Sequence, residues 1–168
     1  MYTLTLAMAE PLDEKPYTRR DGLRLRGFDY ASRRVYFVTL VAAERRTAFR
    51  GVRLAEATTH CLLGLREKMN FFLYVYCLMP DHLQAPIGLG ESGKSLGAIV
   101  GAFKSLSTRI YWQWYEGKLW QRQFFDHIVR NEDDFFETVK YIKLNPVRKK
   151  LVERWEEWPY TKRVDYLR

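Results

Sequence analysis

The stretch that decides the fold is Phe71-Phe72-Leu73-Tyr74-Val75-Tyr76-Cys77-Leu78, followed at once by Met79-Pro80-Asp81-His82-Leu83-Gln84-Ala85-Pro86-Ile87. An aromatic and β-branched run meets a Pro-Asp turn and resumes as a second apolar segment, which predicts two strands paired as a hairpin. Side chains two apart in a strand share a face, so His82 and Gln84 project together from the start of the second strand. They form a candidate metal clamp, which needs partners from elsewhere in the chain.

On the N-terminal side, Val35-Tyr36-Phe37-Val38-Thr39-Leu40-Val41 reads as a short buried strand. Leu54, Cys61, Leu62, Leu65 and Met69 recur at helical intervals, with Thr58 filling the missing step, so a helix is expected from about Val52 to Met69. His60 falls off its apolar stripe and reads as a surface residue. On the C-terminal side, Gly88-Leu89-Gly90-Glu91-Ser92-Gly93 closes the hairpin, and Ser95 is placed to cap a second helix built on Leu96, Ile99, Phe103, Leu106 and Ile110. Lys104, Ser107, Thr108 and Arg109 sit off that stripe and either present donors to phosphates or form an ordinary wet face.

Leu119-Trp120-Gln121-Arg122-Gln123-Phe124-Phe125 reads as extended, and Asp126-His127-Ile128-Val129-Arg130 as a fourth strand with His127 and Val129 on one face. Asn131 is the expected cap of a third helix whose first turn, Glu132-Asp133-Asp134, suits a positive helix N-terminus. Phe135, Val139 and Ile142 form its apolar side, Tyr141 and Asn145 share another face one turn apart, and Pro146 is expected to end it. Residues from about 147 to 168 form a tail with apolar anchors that packs back on the domain.

The element order strand, helix, strand, strand, helix, strand, then a helix, predicts an α+β fold of the ferredoxin-like split βαβ type. It has an antiparallel sheet with helices on one face and a C-terminal helix carrying Tyr141. That helix could pack Tyr141 and Asn145 against His82 and Gln84. An imidazole, two amide oxygens and a phenol would then converge, a neutral donor set suited to Mg²⁺ or Mn²⁺ with positions left for phosphate oxygens.

Composition points the same way. The chain has 168 residues, 47% of them apolar, and a net charge of +8, which fits one domain with a real core and a polyanionic partner. No apolar run approaches the roughly 18–20 residues that span a bilayer. The first 18 residues read as a disordered leader ahead of a single domain at 19–168. A basic arm over about 19–34 carries Arg19, Arg20, Arg24, Arg26, Arg33 and Arg34, and is read either as a phosphate-binding arm or as a solvated tail. Cys61 and Cys77 lie inside apolar patterns as core residues, and a cytoplasmic location is expected.

Five segments together resemble a known family: Arg24-Leu25-Arg26-Gly27-Phe28-Asp29-Tyr30, Tyr36-Phe37-Val38-Thr39, Met79-Pro80-Asp81-His82-Leu83-Gln84, Leu119-Trp120-Gln121-Arg122 and Tyr141-Ile142-Lys143-Leu144-Asn145-Pro146-Val147. In this order they are similar to the REP-associated tyrosine transposases, the IS200-like single-tyrosine group of HUH endonucleases. The resemblance implies that Tyr141 is a nucleophile that attacks single-stranded DNA, leaving a 5′-phosphotyrosine and a free 3′-hydroxyl. It makes His82 and Asn145 metal ligands, with Gln84 standing where the family's second histidine belongs and Asp81 where an asparagine is usual. The basic arm, Lys104, Arg109 and Arg122 would hold single-stranded or hairpin DNA. A monomer is expected ahead of a homodimer. Because a glutamine carbonyl is a weaker donor than an imidazole, the alternative is a cleavage-impaired, domesticated module that binds structured DNA. A third reading is a basic ferredoxin-like domain that binds RNA or another partner.

Overall fold

The computed structural model describes residues 34–166. The expected leader and the arginines at 19, 20, 24, 26 and 33 lie outside them.

Strand β1 (Val35–Val41) leads through two short 3-10 turns, Ala43–Arg45 and Ala48–Arg50, into helix α1 (Val52–Met69). Strands β2 (Phe72–Leu73), β3 (Val75–Leu78) and β4 (His82–Gly88) follow, then α2 (Leu96–Tyr111), β5 (Phe125–Ile128), α3 (Glu132–Arg148) and β6 (Thr161–Arg163). All pairings are antiparallel, the sheet order is β5-β1-β4-β3-β6, and β2 also lies on β4. Without β2 and the edge strand β6, the strands stand fourth, first, third, second, which is the split βαβ arrangement. The expected α+β fold is the one observed.

The alternation along β1 sorts the molecule into two layers. Tyr36, Val38 and Leu40 face a large core shared with Leu54, Leu62, Leu65, Ile99 and Phe103 of α1 and α2. Phe37 faces the other way, toward a smaller cluster of Val75, Cys77, Met79 and Ile142, with Val139 and Trp158 packed against it. The sheet therefore carries α1 and α2 on one face and α3 on the other.

Four expectations are corrected. The apolar run 71–78 is two strands, not one, and Pro86 supplies the reason. Tyr74 N–H donates to Pro86 O at 3.3 Å, and proline has no N–H to return across the ladder. The register shows the result: Leu73 faces Ile87 and Cys77 faces Gln84, so residues 74–76 stand opposite only 85–86. This one-residue bulge puts Leu73, Tyr76 and Leu78 in the large core while Val75, Cys77 and Met79 go to the α3 side. The fourth strand is Phe125–Ile128 rather than 126–130, although Val129 N–H still reaches Val35 O at 2.9 Å.

Pro146 does not end α3, which continues to Arg148. A proline this close to a helix end removes one intrahelical bond and leaves the bonds on either side intact, and Lys149 N–H still closes on Asn145 O at 3.0 Å. Ser107 is buried instead of facing solvent, where it donates to Phe103 O (2.7 Å) and accepts the indole N–H of Trp120 (2.8 Å). The tail adds the unforeseen β6 on β3, and the indole N–H of Trp158 anchors it to Leu78 O at 2.9 Å.

Cys77 is fully buried between the sheet and α3, and burial pushes its thiol up to about 12. Only the thiolate alkylates, so native protein treated with iodoacetamide should label Cys77 only after unfolding, and later than the half-buried Cys61. Equal labelling rates at both sites would show that β3 opens without global unfolding.

Candidate active site

Three elements build the site. Strand β4 begins at His82, directly after the Pro80-Asp81 turn, and the strand period carries His82 and Gln84 to the face covered by α3. Helix α3 is capped by Asn131, whose side-chain oxygen accepts Asp134 N–H at 2.9 Å. The Asp134 carboxylate in turn accepts Arg130 N–H at 2.9 Å, and this bond holds its pKa below the ordinary value. The buried Ile142 and Phe135 then lock the helix onto the sheet, Phe135 edge-on to Tyr74 at 5.0 Å.

This docking brings Asn145 to the strand pair. Its Nδ2 donates to Gln84 Oε1 at 2.9 Å and lies 3.1 Å from His82 Nε2. Gln84 and Asn145 are 6% and 4% exposed, so the contact forms where an unpaired amide would cost about 1–3 kcal/mol. The other imidazole nitrogen, His82 Nδ1, is 2.6 Å from Asp81 Oδ1. A carboxylate acceptor there fixes the tautomer with the proton on Nδ1 and leaves the Nε2 lone pair facing Asn145.

The set meets the requirements of a hard divalent cation. One imidazole nitrogen and one amide oxygen already converge, and a half-turn of the Asn145 amide replaces its donor with an acceptor oxygen at the same place. Among the described residues no group of three His, Cys, Asp or Glu is placed to hold a metal ion.

Tyr141, one turn before Asn145, is 41% exposed and lines the same cleft of about 740 Å³ as Phe37, Thr39, His82, Gln84 and Arg45. Its ring stands edge-on to Phe37 at 6.2 Å, and the Arg148 guanidinium lies 4.8 Å over it. A phenol held by its ring on an exposed side chain can act as a nucleophile toward a group entering the cleft. The four residues expected at the site, His82, Gln84, Tyr141 and Asn145, are thus brought to one place.

The basic residues are placed differently. Lys104 points its ammonium at the backbone carbonyls of Gln121, Arg122 and Gln123, at 2.6, 3.0 and 3.4 Å. It therefore pins that loop instead of offering a free donor. Arg109 and Arg122 are exposed, but they belong to the α2 side of the sheet, across from Tyr141. Arg34 is exposed just before β1. Sequence reasoning missed Asp81 as the partner of His82, Arg148 over the phenol, and Arg45 at the cleft. The seven-residue step from Tyr141 to Arg148, two helical turns, was the available signal for one of them. Arg45 is turned into the cleft by a left-handed backbone (φ 53°), which leaves no periodic trace.

A ferredoxin-like sheet thus sets an imidazole, two amides and a helix-borne tyrosine around one cleft. Residues 31–145 match the family model described as "Transposase IS200 like", and the chain belongs to that family. It is similar to a protein of Haemophilus influenzae described as a REP-associated tyrosine transposase, with 25% identity over 144 residues, covering 79% of this chain and 81% of that one. It is also similar to the REP-associated tyrosine transposase of Escherichia coli, with 24% identity over 102 residues, 61% of this chain and 60% of the other. Among solved structures, a REP-associated tyrosine transposase bound to a REP hairpin superposes with a TM-score of 0.70 at 21% identity, covering 82% of this chain and 81% of that one. No helix among the described residues is long and apolar enough to cross a membrane.

Proposed function

We propose that this protein binds hairpin DNA with a single-stranded flank and cleaves and rejoins that flank through Tyr141, with a divalent cation held by His82, Gln84 and Asn145. The observation that carries the reading is the Asn145 amide, which reaches both His82 Nε2 and Gln84 Oε1 from the helix that bears Tyr141. Family membership and the hairpin bound by a structural relative support the choice of DNA.

The phenol oxygen of Tyr141 attacks the scissile phosphorus and gives up its proton to solvent. The new O–P bond replaces the bond to the 3′-oxygen, which leaves as a hydroxyl after taking a proton from water. The ester energy is kept in the 5′-phosphotyrosine, so a 3′-hydroxyl can attack it and reseal the strand. The cation, Mg²⁺ or Mn²⁺, would polarise a non-bridging phosphoryl oxygen. His82 is oriented for this by Asp81, Phe37 sets the position of the phenol ring, and the Arg148 guanidinium over that ring would offset negative charge developing at the phosphate.

The test is covalent trapping. Protein incubated with a hairpin oligonucleotide and Mn²⁺ should give a denaturant-resistant adduct that maps to Tyr141 by mass spectrometry. No adduct under any divalent metal, or an adduct on another residue, overturns the reading. Asp81→Ala should weaken Mn²⁺ binding by about 10-fold or more, read by calorimetry, because the imidazole loses its orienting acceptor. Unchanged affinity would remove Asp81 from the site.

One observation favours a second reading. The Gln84–Asn145 bond leaves both buried amides partnered without any ion, as expected of a structure-specific DNA-binding module that no longer cleaves. Gln84→His discriminates. If the natural protein binds the hairpin without forming an adduct and Gln84→His forms one, the binding module is the correct assignment. If the natural protein already forms the adduct, the second reading is excluded, and the added imidazole should raise the rate at limiting metal.

A further inference from the structure

The cleft that holds Tyr141 contains a second histidine, His127 of β5. Strand β1 runs between it and the expected metal ligands on β4. His127 stands directly across from Phe37, so the two side chains share a sheet face, and Phe37 is the ring that Tyr141 meets edge-on.

Helix α3 reaches the same histidine from above. Asp134 lies two helical turns before Tyr141 on one side of the helix, and its Oδ2 is 3.3 Å from His127 Nε2. A long side chain on a helix leans toward the N-terminus, which carries the phenol back toward this pair. The backbone N–H of Arg130 holds the Asp134 pKa low, so the carboxylate is an ionised acceptor and the imidazole proton sits on Nε2. Nδ1 keeps its lone pair, and Asp134 is the ring's only hydrogen-bond partner among the described residues. The side chain is 48% exposed.

A phenol is a weak nucleophile until a base takes its proton. Few groups in this cleft can take it. His82 Nε2, Gln84 and Asn145 face one another at the metal position, and Arg45 is permanently charged. Asp126 lies across from Val38, whose side chain is in the large core, and its Oδ1 is buried. His127 remains, an imidazole backed by a carboxylate that stabilises the imidazolium once it forms.

We propose that His127 is the general base for Tyr141, oriented by Asp134. This rests on the reading of Tyr141 as the nucleophile. In cleavage the phenol proton moves to Nδ1, directly or through one water, as the tyrosyl oxygen bonds to phosphorus. The imidazolium then releases that proton to solvent. The 3′-oxygen leaves in line on the far side of the phosphorus and takes its proton from water. In rejoining, the 3′-hydroxyl attacks and gives its proton to water, while His127 protonates the departing phenolate.

The experiment measures single-turnover adduct formation by the full-length protein on a hairpin with a single-stranded flank and Mn²⁺. His127→Ala and His127→Gln should each slow it by about a hundredfold or more, with hairpin affinity, Mn²⁺ affinity and Tm unchanged. Glutamine keeps a donor for Asp134 but accepts no proton, so a merely structural role predicts that it rescues. Free imidazole should speed His127→Ala by at least about tenfold and leave the natural protein unchanged. The deciding measurement places 3,5-difluorotyrosine at position 141. Its more acidic phenol ionises without help, so His127→Ala should then cost less than about tenfold.

A His127→Ala protein as fast as the natural one, full rescue by glutamine, or an undiminished loss with difluorotyrosine would overturn the proposal. Failure of the underlying function looks different, because the natural protein itself would form no Tyr141 adduct.

Discussion

Tyr141→Phe is expected to abolish the covalent adduct, lowering its formation by at least about a thousandfold, while hairpin affinity stays within about twofold. The argument is the division of labour within one side chain. The ring makes the contacts the structure shows, edge-on to Phe37 and under Arg148, and phenylalanine keeps the ring. The hydroxyl belongs to a side chain 41% exposed to solvent, so its loss strands no buried partner and costs little stability. What disappears is the only oxygen of this residue that can attack phosphorus. Thermal melting should confirm an unchanged fold, and gel electrophoresis under denaturing conditions reads the adduct. Equal adduct in both proteins would assign the nucleophile elsewhere.

Ile142→Ala is expected to have the largest effect on stability. Ile142 is 0% exposed and is the residue of α3 at the centre of the small cluster with Val75, Cys77 and Met79. Truncating a buried isoleucine costs about 2–5 kcal/mol, toward the upper end where the surroundings cannot collapse. Here one wall is a sheet pinned on both sides, so about 3 kcal/mol is expected, a fall in Tm of roughly 6–12 °C for a chain of this size. The site should suffer as well, because the same helix turn positions Asn145 against Gln84. Val52→Ala, on a side chain 60% exposed at the start of α1, is the control and should stay within about 0.5 kcal/mol. Similar losses in both variants would mean that α3 is not held by this cluster.

The parts of the fold that were legible share a property. The ends of β1 and α1 match the expected ones because each obeys a single period from end to end. Ser95 and Asn131 were readable as caps because a cap depends on a side chain and the backbone a few residues on. The run at 71–78 resisted because its period changes phase at Tyr74, under the influence of Pro86, which is distant in sequence until the sheet forms. Pro146 misled because its cost depends on how much helix follows, and only about one turn does.

The site divides along the same line. His82 and Gln84 are visible from the strand period and Tyr141 and Asn145 from the helical one, but their meeting depends on which sheet face α3 covers. Lys104 was indistinguishable from a free surface cation until the loop at 121–123 was laid over it. Charge in a sequence says that a lysine needs acceptors; it does not say whether they are phosphates or carbonyls.

The extra residue opposite Ala85 and Pro86 makes pairing register, rather than side-chain identity, the sensitive variable between Leu73 and Cys77. With three residues there, one apolar run serves two hydrophobic layers in succession. Were the same residues paired one for one, the parity downstream would invert: Val75, Cys77 and Met79 would face the large core, and Tyr76 and Leu78 would be thrust at α3. Loss of one residue at Tyr74 or Val75 should therefore leave Tyr76, Cys77 and Leu78 on their present faces, whereas flattening the bulge without a deletion would exchange them.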